Sequence, residues 1–377
     1  MNLINRIKEF NERFREKIGW KILDSYLLRK MLGTVVFAIT LLMVIVVVFD
    51  VSENIHRFMS HNVPAKVVIT GYYFNFIPYF INLFIPLFTF ISVIWFTSKL
   101  SSRNEIISIF DNGISFNRML VPYMTGAIIV MLMSLFLANF VVPNTNRKLN
   151  DFKYQYFGRR GVNSTYLHIK NSKNSYIFVE RWDKMEEIGY NFTYEEFDKS
   201  AMRQKISAQT ISYDEEKQCW QLHNYTRRVI LPDNVERIEG GEDFDTVFNI
   251  LPRNLYQDAF MSETMSYTEL RQFIREERMR GSSLLANYQI EQHKRLANPL
   301  GIIIMTLLGV SVSCRKSTRG VGVHVFIGMG LAFSFIFLQQ VSTVFSVSGG
   351  LPPVLGTWFP NIIFLLITIV MLKMTPK

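Results

Sequence analysis

Runs of about 20 apolar residues, enough helix to cross roughly 30 Å of hydrocarbon, crowd both ends of this 377-residue chain and vanish from its middle. The first, MLGTVVFAITLLMVIVVVF from Met31 to Phe49, holds no charge at all. A second lies within Val67 to Thr97, where Pro78 and Pro86 predict kinks that neighbouring helices must re-satisfy. The third runs from Met119 to Val142, the fourth from about Leu296 to Cys314, the fifth from Val321 to Val347 and the sixth from Val354 to Leu372. A mean composition of 49% hydrophobic residues also suits a large soluble protein; the clustering decides the class. The expectation is a polytopic α-helical membrane protein with six transmembrane helices arranged 3+3. The even count puts both termini on one side.

Lysine and arginine in short loops set the orientation. Residues 1–30 hold eight of them, the Lys99–Arg118 loop three, and the CRKSTRG loop Arg315, Lys316 and Arg319. The opposite loops are poorer, with Arg57 and Lys66 between Val51 and Lys66 and none from Ser348 to Pro353. Both termini and the Lys99–Arg118 loop are therefore expected in the cytoplasm. His293, Lys294 and Arg295 run against the bias, because they precede span four on the outer side. No apolar core of signal-peptide length precedes Arg29, so a cleavable leader is not expected. Leu3, Ile7, Phe10, Phe14 and Ile18 recur at helical spacing among basic residues, the pattern of an in-plane helix on an anionic leaflet. The net charge of +10 then reads as membrane topology rather than nucleic-acid binding.

Between the third and fourth runs the sequence changes character. From 143 to 265 it offers STYLHIK, SYIFVERW, GYNFTYEEF, KISAQTISYD, CWQLHNYTRRVIL and DTVFNI. Such alternation, bounded by Gly, Asn, Asp and Lys, marks half-buried antiparallel strands, so an inserted extracytoplasmic all-β domain, an open sandwich or jelly roll, is expected there. Residues 1–142 then carry the amphipathic helix and spans one to three. Residues 266–377 carry connecting helices and spans four to six. SYTELRQFIREERMRG reads as a helix opened by a Ser266/Glu269 capping box and closed at Gly281. A second helix from about Ser283 should lead into span four.

The search for chemistry is mostly negative. Cys219 and Cys314 fall on opposite sides by topology and should never meet. There is no Gly-rich phosphate loop ending in Lys-Ser/Thr and no His-Glu-x-x-His pair, so neither ATP hydrolysis by that route nor zinc is expected, and no cofactor is assigned. Of the six histidines only His324 falls in a span, near its cytoplasmic end, where a satisfied polar side chain is the simpler reading. Spans two to six lack the acidic residues expected of a secondary transporter, and no catalytic pair lies within the spans.

SSRNEIISIFDNGISFNRM, Ser101 to Met119, interrupts two apolar runs with a charged, capped helix expected over 101–113. Together with three spans before the β domain and three after it, this stretch resembles the LptF/LptG (YjgP/YjgQ) family of lipopolysaccharide export permeases. It is similar to that family's coupling segment, with Glu105 at the acidic position and Gly113-Ile114-Ser115 at its G-x-S element. HKRLANPLGIIIMTLLGVSVS resembles the family's start of span four through His293, Arg295, Leu296, Ala297 and Pro299. LPPVLGTWFPNIIF resembles its start of span six through Pro352, Pro353, Gly356, Trp358 and Pro360, and YIFVERWD resembles a strand of its β domain.

The resemblance implies the permease half of an ABC-type exporter in the bacterial inner membrane. A cytoplasmic ATPase dimer would bind the coupling helices of two permease chains, paralogous or identical. Lipopolysaccharide would enter between them through gates formed by spans one and five, and the periplasmic β domain would pass its acyl chains to a jelly-roll bridge protein. On this chain the ATPase contact would fall to Glu105, Ile106, Ile107, Phe110, Gly113 and Ser115, with Ile106, Ile107, Phe110 and Ile114 as one apolar face. Val46, Val47 and Val48 stand where some members carry a basic residue, so Arg57, with His56 and Lys66, would substitute there, while the cluster His293, Lys294 and Arg295 would either pair with anionic headgroups or snorkel at the interface. Phe178 would line the acyl-chain groove. Ser102 and Glu105 also have the spacing of a capping box. The alternative is a mechanotransmitting ABC permease for another lipid or a lipoprotein.

Overall fold

The computed structural model describes residues 20–157, 164–183, 186–198, 201–231, 235–252, 255, 259–280, 282, 284–314 and 321–374. The N-terminal amphipathic stretch, the basic loop at 315–319 and Gly281 lie outside the described residues. The chain packs as two compact units, one made of residues up to Phe152 and from Ile290 onward, the other of Lys153–Gln289.

Among the described residues, six helices are long and apolar enough to cross a membrane. Helix α1, Ile22–Ser60, is continuous over 39 residues and contains no proline. Helix α2, Ala65–Ser102, carries Pro78 and Pro86 and a π-helical stretch at Val68–Tyr73. The short α3, Glu105–Asp111, separates it from α4, Phe116–Phe157, which contains Pro122 and a second π-helical stretch at Leu137–Val141. The hydropathy boundary at Val142 is therefore not a helix end. From there α4 turns amphipathic, burying Leu149 and Phe152 while its other faces become polar; a helix needs only one apolar stripe to continue.

Along α1 the buried side chains Leu27, Met31, Val35, Ile39 and Met43 repeat every four residues, one stripe facing its neighbours. Close approach of α4 is permitted by Gly126, where a Cβ would lie 2.8 Å from the Met31 sulfur. After the β strands, α5 spans Tyr267–Arg280, and α6 (Leu285–Ser313), α7 (Val321–Val347) and α8 (Pro353–Met374) complete the chain. Among these, α6 and α8 carry Pro299 and Pro360 within the helix.

The second unit is built on one six-stranded antiparallel sheet: β1 Ser164–Lys170, β2 Ser175–Asp183, β3 Ile188–Asp198, β4 Ala201–Asp214, β5 Cys219–Ile230 and β6 Glu236–Thr246. Strand order follows the sequence, so the described strands form a meander without the Greek-key crossovers of a two-sheet jelly roll. One face gathers Leu167, Ile177, Val179, Phe192, Ile211 and Leu222, and Phe248, Ile250 and Leu255 from the segment after β6 pack upon it. Trp182 and Trp220 meet edge to face at 6.0 Å, and the Trp220 indole N–H donates to the Ile250 carbonyl at 3.0 Å.

The expected start of α5 is present. Ser266 N–H donates to Glu269 Oε2 at 2.8 Å and Glu269 N–H donates to Ser266 Oγ at 3.4 Å, the reciprocal pair of a capping box. Cys219 and Cys314 are both free and buried.

Candidate functional site

The polar interruption after α2 is a compact device. Helix α2 runs through Ser102, whose hydroxyl donates to the Lys99 carbonyl at 3.0 Å. The chain then reverses at Asn104, which takes a left-handed φ of 61° and forms the cap position of α3 without a side-chain cap bond. The Ser102/Glu105 capping box is therefore not formed. An S-x-x-E spacing caps a helix only where the Ser residue ends the preceding structure, and here Ser102 is still helical. Past α3, Gly113 supplies a φ of +75°, open to glycine at no steric cost. Ser115 then caps α4, its hydroxyl accepting from the Arg118 N–H at 3.4 Å.

Helical geometry divides the expected apolar face in two. Ile106 is 1% exposed, and with Phe110 beside it packs into a core made by Leu27, Met31, Phe96, Leu100, Phe116, Met119 and Tyr123. Ile107, one residue and about 100° further round, is 38% exposed. The outward face of α3 consists of Asn104, Ile107, Ser108 and Asp111, at i, i+3, i+4 and i+7. The outward face thus presents Ile107 amid polar groups, whereas Ile106 and Phe110 anchor the helix to its own chain. Gly113 and Ser115 are exposed, and Ile114 is half-buried.

Two polar contacts that the sequence did not announce hold this segment to the start of α1. The Tyr26 hydroxyl donates to Glu105 Oε2 at 3.1 Å. Arg118 grips Asp24 with two parallel bonds, Nη1 to Oδ1 at 2.9 Å and Nη2 to Oδ2 at 2.6 Å. The Asp24 side chain is 3% exposed and the Arg118 side chain 31%. Asp24 also accepts from the Lys21 N–H at 2.7 Å and sits in the first turn of α1, where helix N-terminal amides favour a carboxylate. Breaking one partner of a buried pair costs about 3–5 kcal/mol, less where one member reaches water as Arg118 does.

At the far end of α1 a second cluster surrounds Asp50. Its two carboxylate oxygens accept from the Tyr72 and Tyr73 hydroxyls, each at 3.1 Å, and Asn54 Nδ2 donates to Oδ1 at 3.1 Å. Both tyrosines stand in the π-helical stretch of α2; the extra residue of a π turn sets two consecutive side chains toward α1. Arg57 lies one turn on, its Nη1 3.4 Å from Asn54 Oδ1. Beside it an open pocket of about 510 Å³ is lined by Val51, Ile55, Met59, Val63, Val68 and Ile69.

The basic residues before span four do not act alike. Arg295 is buried and its Nε donates to Glu291 at 3.2 Å within α6, so its charge is engaged inside the protein. The i, i+4 spacing of Glu291 and Arg295 was the signal that separates it from His293 and Lys294, which are only half-buried. His324 is buried, with Nδ1 3.0 Å from the Ser98 hydroxyl, as a satisfied polar side chain should be.

In the sheet, Phe178 points away from the apolar face. It pairs across to His168, with ring centroids 4.8 Å apart, while its neighbours Ile177 and Val179 lie in the core. The two-residue period of a strand leaves no other choice once Val179 is inside. The apolar side of the sheet here carries Ile177, Val179 and the half-buried Tyr194.

Residues 25–374 match the family described as the lipopolysaccharide export system permease LptF/LptG. This chain belongs to the LptF/LptG family. It is similar to the lipopolysaccharide export system permease protein LptG of Escherichia coli (strain K12), 21% identical over 297 residues that cover 78% of this chain and 82% of that protein. It is also similar to the LptG protein of Haemophilus influenzae, 22% identical over 360 residues covering 91% and 96%. Six apolar helices flanking an antiparallel sheet are consistent with the LptF/LptG fold. As an LptF/LptG permease the chain is a transport subunit of lipopolysaccharide export rather than an enzyme.

Proposed function

We propose that this chain is the membrane half of an ABC-type exporter that draws lipopolysaccharide from the inner membrane, powered by a separate cytoplasmic ATPase dimer. The observation that carries the reading is α3: a seven-residue helix that turns Ile106 and Phe110 into its own bundle and leaves a largely polar face outward with Ile107 at its centre. The end of the bundle bearing α3 is then cytoplasmic, with both termini, and the β domain is periplasmic. A second permease chain, paralogue or copy, completes the lipid path. Arg57, His293 and Lys294 remain the residues offered to anionic headgroups, and Arg295 is set aside.

Acyl chains reach the apolar face of the sheet only by displacing the segment that carries Phe248, Ile250 and Leu255, since Ile177 and Val179 are otherwise covered. Each methylene so shielded from water contributes about 0.8 kcal/mol, which is ample return for moving three side chains. A periplasmic jelly-roll bridge then extends the sheet by strand addition at an open edge.

Glu105→Gln tests the coupling assignment. Gln keeps the side-chain volume and still accepts from Tyr26, but carries no charge. Loss of ATPase co-purification and export, with insertion and helix content unchanged, is the expected result. Retention of both in the Gln variant would remove Glu105 from the coupling role.

A further inference from the structure

Among the described helices, α1 is the longest without an internal proline or a π-helical stretch. Helix α2 has two internal prolines and a π-helical stretch, and α4 has one proline and a π-helical stretch, each a place where a helix bends. Helix α1 has neither over 39 residues, a rod of about 58 Å at 1.5 Å per residue. Its first turns are bound into the α3 segment at two separated points. Tyr26 holds Glu105 at the start of α3, and Asp24 holds Arg118 just beyond its end. Between those points Leu27 and Met31 share one buried core with Ile106, Phe116 and Met119. A segment pinned on both sides of a packed core cannot shift without carrying the start of α1 with it. At its other end α1 meets the π-helical stretch of α2 through Asp50, Tyr72 and Tyr73.

We infer that Asp24 and Tyr26 are positioning residues that make α1 and the α3 segment one moving part, so that displacement of α3 is delivered along α1 to the opposite end of the bundle. The inference rests on the reading of α3 as the ATPase contact. It adds the path by which that contact acts. Arg118, rather than any residue on the outward face of α3, is the far side of the joint. Bidentate geometry suits it to the task, because two parallel bonds resist rotation as well as separation.

The test uses the full chain with its ATPase partner in lipid vesicles, reading ATP hydrolysis and lipopolysaccharide release together. Wild type must show ATP-dependent release; its absence would defeat the coupling reading itself, before any variant is compared. Asp24→Arg and Arg118→Asp alone are expected to keep the ATPase bound and hydrolysing while release falls at least tenfold, raising the ATP consumed per lipid. The double exchange restores an ion pair of reversed sense and should recover release to within about threefold of wild type. Tyr26→Phe deletes a single hydroxyl without endangering the fold, and should raise ATP consumed per lipid about two- to threefold. A spin label at Asn112 on the loop after α3 and another at Ser52 on α1 should keep a constant separation between nucleotide-free and vanadate-trapped states. Release unaffected by all three single variants, in a preparation whose wild type exports, would overturn the inference. So would a change in the 112–52 separation of more than about 5 Å.

Discussion

Ile106 and Ile107 are neighbours on opposite faces of α3, and truncating each to alanine separates anchoring from the docking proposed for the outward face. Ile106 is 1% exposed within a core of eleven buried residues. Removing three carbons there leaves a cavity bounded by Leu27, Phe96 and Phe116, and such truncations cost about 2–5 kcal/mol. Ile107 is 38% exposed, so its truncation should change stability by no more than about 0.5 kcal/mol. If the outward face of α3 docks the ATPase, however, Ile107 is its one large apolar side chain. Loss of a central apolar contact typically weakens binding by more than about 1 kcal/mol, or roughly fivefold in Kd. Thermal unfolding of the detergent-purified chain and titration of immobilised permease with ATPase give the two readouts. Ile106→Ala should lower the unfolding midpoint clearly, and Ile107→Ala should leave it in place while raising Kd. Equal midpoints for the two variants would refute the division of α3 into an inner and an outer face. A normal Kd for Ile107→Ala would move the docking site elsewhere.

Other expectations are simpler to check. With both native cysteines buried, an impermeant thiol reagent applied to intact spheroplasts should label Glu216→Cys, in the exposed β4–β5 turn, and not Asn117→Cys, exposed beside α3; the reverse pattern would invert the topology. A photocrosslinker at Tyr194, on the apolar face of the sheet, should trap glycolipid only while ATP is turned over. One at Phe178, on the opposite face, should not, and equal yields would remove the acyl-chain role from that face.

What was legible in the sequence is what depends on period and length. Six spans follow from unbroken apolar runs, and the β unit follows from alternation, because neither signal needs a distant partner. The same local motif nevertheless gave two outcomes. Ser266 and Glu269 form their capping box because the 3₁₀ turn before them ends at Thr264. Ser102 and Glu105 do not, because α2 continues through Ser102 and the chain breaks two residues later at Asn104. Motif spacing is identical in both; the preceding structure decides. Phe178 faces away from the apolar side, which YIFV alone does not reveal because every second residue is apolar on either count; the pairing of Val179 with Leu167 and Phe192 fixes which set is inside. The contacts least visible were those closed by folding, such as Asp24 with Arg118 at a separation of 94 residues.

That last class matters most in a bilayer. Lipid tails are as apolar as leucine, so packing alone gives little preference for one position of a helix over another, and interhelical polar bonds weigh more. Along the middle of α1, Val36, Phe37, Leu41, Val44 and Phe49 are exposed. Replacing lipid against these side chains by another apolar surface carries little net cost. The ends have no such freedom. Moving the first turn requires parting Asp24 from Arg118 or moving Arg118 with it, and moving the last turns requires the same of Asp50 with Tyr72 and Tyr73. Helix α1, packed along its Leu27–Met43 stripe and tied by polar bonds near both ends, takes its axial position from the elements that hold those bonds. For α1 those are the α3 segment with the start of α4 at one end, and the π-helical stretch of α2 at the other.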